Sequence, residues 1–294
     1  MRGAAVIDRW FMQPAPAVRL AVFRIMIGVF SATYLLARLP TLLAMGDETN
    51  LQWDPVGGLW WLATPLPQWA VRGAVFMTIA LAVAFAAGVG FRMIGPAFAI
   101  ALLFVTTYRS SGGQLLWFDN VLVLHALVIG CSRAADALRV GSSLPVGESP
   151  RYGWPLRAAA IITVVTYWMA GVAKLRYGGT AWLDGESLRN HVAYSATRLR
   201  VLGGTPSPLA EPMMMLDWMF TPLAVATLVI ELGAPLALVV SRLRVPWVAT
   251  VWCMHAAIAA TMFVVFPYPL TLIAFAPLFR LERLLPAHRG ASRC

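Results

Sequence analysis

The chain has 294 residues, of which 60% are hydrophobic and 12% charged, with a formal net charge of +10. A soluble domain is nearer a quarter charged, so the composition excludes an ordinary water-soluble enzyme. The apolar residues come in long runs, the pattern of an all-α, polytopic transmembrane bundle. The positive balance comes from arginine at helix ends, where membrane lipid headgroups are the natural counter-charge and no nucleic-acid partner is needed.

Residues 1–17 read as an amphipathic lead-in lying at the interface, with Arg2, Asp8, Arg9 and Trp10. The first apolar run is too long for a cleavable signal peptide, and no small-residue cleavage site follows it. Span 1 is expected over about 18–45, long enough to tilt. Its Arg19 and Arg38 can snorkel to opposite surfaces, and the deeper Arg24 is read the same way. An acidic connection over 46–68 carries Asp47, Glu48 and Asp54 with Trp53, Trp60 and Trp61, which suits an aromatic belt. Spans 2 (69–89) and 3 (93–108) flank a tight basic turn at Arg92. Span 4 (115–131) opens with Trp117, Phe118, Asp119 and Asn120, and holds His125, read as a core histidine bonded to a backbone carbonyl.

A basic loop over 133–157 leads to span 5 (158–175). The longest polar connection, 176–212, holds Trp182, Asp184, Glu186, Arg189, His191, Arg198 and Arg200. Span 6 (218–240) contains Glu231, and span 7 (246–266) contains Cys253 and His255. After Pro267 and Pro269, a short span 8 (270–279) leads to a basic tail over 280–294. The expectation is one domain of about eight spans. With the N-terminus inside, the arginine clusters fall on inner connections and the first outer connection is acidic, as the positive-inside rule requires. Only 176–212 breaks that rule. Its arginines either pair with Asp184, Glu186, Glu211 and Asp217 or bind an anionic ligand or headgroup. Cys131, Cys253 and Cys294 form no CxxC pair, disulfide framework or zinc site.

Lys174 is the only lysine in the chain; the other 22 of its 23 Lys and Arg residues are arginine. Arginine cannot lose its proton in a protein, whereas a partly buried lysine can. A solitary lysine among arginines fits work that needs a neutral amine, such as a general base or a nucleophile. It fits equally the one lysine that drifted in. Ionisable groups within spans are costly and mark functional sites or locking pairs. They are Arg24, Asp119, Lys174, Glu231 and His255. Asp119 and Lys174 end or begin spans at the same expected depth. Glu231 lies about halfway along span 6 and requires an arginine, a histidine or its own proton. No Rossmann, P-loop, HExxH or GxSxG pattern is present, and His125, His191 and His255 have no metal-ligand spacing.

The stretch Tyr167–x–x–Ala170–Gly171–Val172–x–Lys174–Leu175, followed by Trp182–x–x–Gly185, resembles that of vitamin K-dependent gamma-carboxylase and its bacterial relatives, which share the HTTM (horizontally transferred transmembrane) domain. His255 early in its helix, Phe266–Pro267–Tyr268, Glu231, and Arg24 with Gly28 extend the resemblance over nearly the whole of 1–294. It implies that Lys174 is the base that deprotonates reduced vitamin K or another quinol in an outward-facing pocket. Asp119, Trp182, Asp184, Tyr167, His255 and Glu231 would bind the substrate. It also implies a multi-pass protein of the bacterial cytoplasmic membrane with epoxidase-like chemistry. Two departures point away from carboxylation of a protein. The carboxylase has a large domain after its bundle, where this chain stops soon after span 8. It also has a histidine after span 4, where this chain reads Ile129, Gly130, Cys131, Ser132 and Arg133. The competing readings are a non-enzymatic carrier or accessory protein that binds an anionic solute or lipid, and a structural one in which Lys174 is the counter-ion of Asp119 or Asp184.

Overall fold

The structure is a computed structural model and describes residues 8–47, 53–113, 117–141 and 147–285. Parts of the lead-in (1–7), the acidic connection (48–52) and the tail (286–294) therefore lie outside the described residues. Of the described residues 76% are helical, and among them five helices are long and apolar enough to cross a membrane. These are α1 (Ala17–Ala37), α2 (Gln68–Ala87), α3 (Phe91–Ser110), the run Pro150–Gly178 and the run Ser241–Met262. A shorter apolar helix, α4, spans Asn120–Gly130. In the run Pro150–Gly178, α5 (Pro150–Ala173) passes into a π-helical turn, Lys174–Gly178. Beyond it lie α6 (Glu186–Val201), α7 (Phe220–Leu232) and α8 (Arg244–Met262).

The contacts divide into two compact units, Met1–Ala159 with Phe279–Cys294, and Ala160–Leu278. The boundary falls within α5.

In the first unit α1 packs on α2 and α4, and α3 packs on α2 and α4. Gly28 sets the α1–α2 approach. A Cβ there would lie 2.7 Å from Ala86 Cβ and 2.9 Å from the Ala82 carbonyl oxygen, so a side chain would force the helices apart. Just before α1, Ala15 and Pro16 pair antiparallel with Ser149 and Glu148 ahead of α5. His125 is fully buried and its Nε2 lies 2.9 Å from the Ala159 carbonyl oxygen, the core role read from the sequence. Arg19 donates twice to Glu282, at 2.7 and 2.6 Å, joining the start of α1 to the end of the described chain.

Three sequence expectations need correction. Span 1 is not one long helix. It stops at Arg38, because Pro40 cannot continue a hydrogen-bonded helix and instead starts a separate turn, Leu39–Ala44. Arg24 does not snorkel to a surface. It is fully buried, donates to the Leu138 carbonyl oxygen at 2.6 Å and lies over the Phe91 ring. The segment read as span 8 is a short helix, Pro267–Leu270, followed by a 3-10 segment, Ile273–Leu278.

The second unit packs α7 against α6 and α8. Helix α7 ends at Leu232. Gly233, Ala234 and Pro235 turn the chain before a further short helix, Leu236–Val239. Proline supplies no N–H to carry α7 on, so span 6 is a broken helix rather than a continuous one. Broken helices in membranes occur where protein or a cavity surrounds the freed backbone.

Candidate functional site

Helix periodicity puts Tyr167, Gly171 and Lys174 on one stripe of α5, since four and then three residues each make about one turn. Gly171 faces α7. A Cβ on it would meet Glu231 Cβ and Leu232 Cγ at 3.0 Å, so the missing side chain is what lets α5 and α7 approach here. One turn on, Lys174 Nζ donates to both oxygens of Glu231, at 2.5 and 2.7 Å. The Glu231 side chain is 5% exposed and that of Lys174 21%, so the acid is inside while the amine reaches the surface of the packing.

Two local features mark this arrangement. Glu231 sits in the last turn of α7, where the helix dipole disfavours a negative charge, and Lys174 offsets it. Lys174 also opens the π-helical turn Lys174–Gly178. Such single turns are rare and recur at functional positions, because they free backbone from the regular ladder.

The chain then folds back over the lysine. Trp182, in the short helix Thr180–Leu183, is 8% exposed, and its ring centroid lies 5.0 Å from Lys174 Nζ. Gly185 fixes that return. It has φ +90°, and a Cβ would lie 2.5 Å from the Phe220 and Thr221 backbone. Trp182 Nε1 is buried and makes no hydrogen bond among the described residues. In the same unit, the Tyr167 hydroxyl and His255 Nε2 share a hydrogen bond of 2.7 Å, while His255 Nδ1 is buried without a partner. Phe266 lies against His255, and Trp247 and Phe275 lie against Tyr167. The arrangement offers a cation and an acid in contact, a stacked indole, and two unused ring nitrogens within apolar and aromatic surroundings.

Of the residues expected to serve this site, Lys174, Glu231 and Trp182 come together, and Tyr167 pairs with His255. Glu231 takes its charge partner from the lysine, not from an arginine or a histidine. Asp184 is exposed and accepts from the Glu186 backbone N–H at 3.0 Å, which fixes the start of α6; its carboxylate is not the lysine's counter-ion. Asp119 has partners within its own unit. Tyr34 donates to its Oδ1 at 2.9 Å and Arg109 to its Oδ2, and Arg109 also donates to the Tyr34 hydroxyl at 3.2 Å, closing a buried ring of three. Arg109 escaped the sequence reading, although it precedes Asp119 across a single turn and so had to lie at the same depth. Trp247 and Phe275 gave no sequence signal that separates them from other apolar aromatics.

Two arginines of the 176–212 connection pair as expected, Arg189 with Asp217 at 2.9 Å and Arg200 with Glu211. No family model, no curated protein and no solved structure matches the chain.

Proposed function

We propose that the protein is an HTTM-type integral membrane protein in which Lys174 and Glu231 move a proton to or from a lipid-soluble substrate. The observation that carries this reading is the two-oxygen contact between the only lysine and a buried acid, under an indole whose N–H has no partner. A hydrogen-bonded amine and carboxyl in a low-dielectric surrounding can exist as ammonium and carboxylate or as amine and carboxylic acid. The two forms differ only in the place of one proton. In the neutral form the amine lone pair is a base.

The donors suit a quinol such as reduced vitamin K. Trp182 Nε1 and His255 Nδ1 are orphaned buried atoms of the kind that a ligand oxygen satisfies. A quinol would supply a weakly acidic hydroxyl. Lys174 would take up that proton, Glu231 would hold the amine in place, and Trp182 would shield it from water. Tyr167 would fix the His255 ring through Nε2, leaving Nδ1 for the ligand.

The proposed topology is eight crossings with the N-terminus inside a bacterial cytoplasmic membrane. The Arg19–Glu282 contact supports an even number, because it brings both ends of the described chain to one depth.

Arginine at 174 can keep the pair with Glu231 but stays protonated, so it has no lone pair with which to take up a proton. The test is Lys174→Arg in the full chain in lipid nanodiscs supplied with reduced vitamin K and, as oxidant, dioxygen, with quinone or epoxide formation as the readout. Wild-type turnover with none in Lys174→Arg supports the base. Equal turnover in both discards it. The carrier reading fits less well, since the lysine charge that would hold an anionic solute is engaged by Glu231.

A further inference from the structure

A second polar centre lies in the first unit, at the end of α1 and the last turn of α3, and the proton-transfer reading makes no use of it. In the ring formed by Arg109, Asp119 and Tyr34, each oxygen of Asp119 has a donor, so its single charge is matched by Arg109. Arg109 Nε is buried and has no hydrogen-bond partner among the described residues, in a residue that is 8% exposed. Beside it stands Arg38. Its guanidinium carbon lies 5.1 Å from the Tyr34 ring centroid and 5.8 Å from that of Phe118, and Arg109 lies 5.4 Å from the same Phe118 ring. Among the described residues Arg38 forms no ion pair. Two arginines and one aspartate leave the centre one positive charge in excess.

A guanidinium held by aromatic faces has little rotamer freedom left to lose, and its N–H fork matches the oxygens of a phosphate or carboxylate. We infer that Arg38 and Arg109, on the platform of Tyr34 and Phe118, form a binding site for a phosphate-type oxyanion. Arg38 supplies the fork, the free Nε of Arg109 a further donor, and Asp119 serves to hold Arg109. Arg38 directly follows the last residue of a membrane-crossing helix, which is headgroup depth. The oxyanion is therefore the phosphodiester of a membrane lipid or a free phosphate that reaches the same level.

The test uses the full chain purified in neutral detergent and stripped of lipid, with thermal unfolding followed by tryptophan fluorescence. The additions are phosphatidylglycerol, a diacylglycerol with the same acyl chains but no phosphate, and inorganic phosphate against chloride at equal ionic strength. Phosphatidylglycerol should raise Tm and diacylglycerol should not. Arg38→Gln should shift the half-maximal concentration by roughly tenfold, the worth of a charge-assisted contact. A response to inorganic phosphate equal to the lipid's assigns the site to free phosphate, and a response to the lipid alone assigns it to a headgroup. Equal responses to the two lipids, or an unchanged half-maximum in Arg38→Gln, overturn the site. Should that variant fail to fold, Arg38→Lys keeps the charge but loses the planar fork. It should weaken the response, and wild-type affinity in it overturns the proposal.

Discussion

Gly171 lies one turn before Lys174 on α5, directly against the Cβ of Glu231, so the glycine sets how near the acid can come to the amine. A methyl group at 171 would press on Glu231 and Leu232 at 3.0 Å, and both must yield by a few tenths of an ångström. Overpacking of this kind costs about 1–3 kcal/mol. Gly171→Ala is therefore expected to lower the unfolding temperature in detergent. Leu232→Ala introduced with it should recover part of the loss by making room. If the double variant is as unstable as the two separate losses added together, the two positions do not share this contact.

The pair itself has unequal members. Removing the lysine leaves a carboxylate that is almost wholly inside, at a helix end that disfavours it. Removing the acid leaves an amine that is one-fifth exposed and still over an indole. Lys174→Met should then cost about 3 kcal/mol and Glu231→Gln nearer 1 kcal/mol. The double variant Lys174→Met with Glu231→Gln should be more stable than Lys174→Met alone, because no charge is stranded. Chemical unfolding of the three variants checks the order, and a reversed order would mean that the acid is not the stranded partner.

The sequence already held much of this site, because a charge inside a membrane is rare enough to count. Lys174 and Glu231 could each be singled out by chemistry alone, and Trp182 by the family resemblance. What it withheld was pairing. Span 6 reads as one continuous helix with Glu231 about halfway along it, so Lys174 at the end of span 5 does not stand out as its partner. The turn at Gly233 to Pro235 ends α7 just after Glu231, while the π-helical turn begins at Lys174. Periodicity cannot report a helix that stops early inside an apolar run, since the run itself continues. The partners of Asp119 were hidden for a related reason. Equal depth is a one-dimensional measure, and Arg109 and Tyr34 share that depth with it in the same unit. Proline gave the clearest local signal that was not used. Pro40 marks the end of α1 as Pro235 marks the break after α7.

The contact between the two ends of the chain carries a pH dependence. Partial burial alone would raise the Glu282 carboxyl, but the hydrogen bonds and charge of Arg19 outweigh it and hold the group below the ordinary glutamate value of 4.5. A folded-state value below the unfolded one means stability that is complete above the ordinary value and lost as pH falls through the lower one. The unfolding temperature should therefore drop on going from pH 5 to pH 3 by more in the wild type than in Glu282→Gln, which has no proton to bind. Parallel curves for the two proteins would show that the contact adds nothing to stability.

Trp182 separates a structural task from a chemical one. Its ring covers Lys174 and packs with Ala224 and Leu228, while its N–H is buried with no acceptor. An unmet buried donor costs about 1–3 kcal/mol, and phenylalanine removes the donor while keeping an aromatic face over the amine. The smaller ring gives up some packing, so the two effects nearly cancel. Trp182→Phe should melt within a few degrees of the wild type. If the N–H serves a ligand oxygen, the same variant should raise the KM for a quinol substrate several-fold with kcat less affected, because a binding contact is lost and the Lys174–Glu231 pair is left intact. A large fall in Tm would mean that the indole is chiefly a packing element, and unchanged kinetics would mean that its nitrogen meets no substrate.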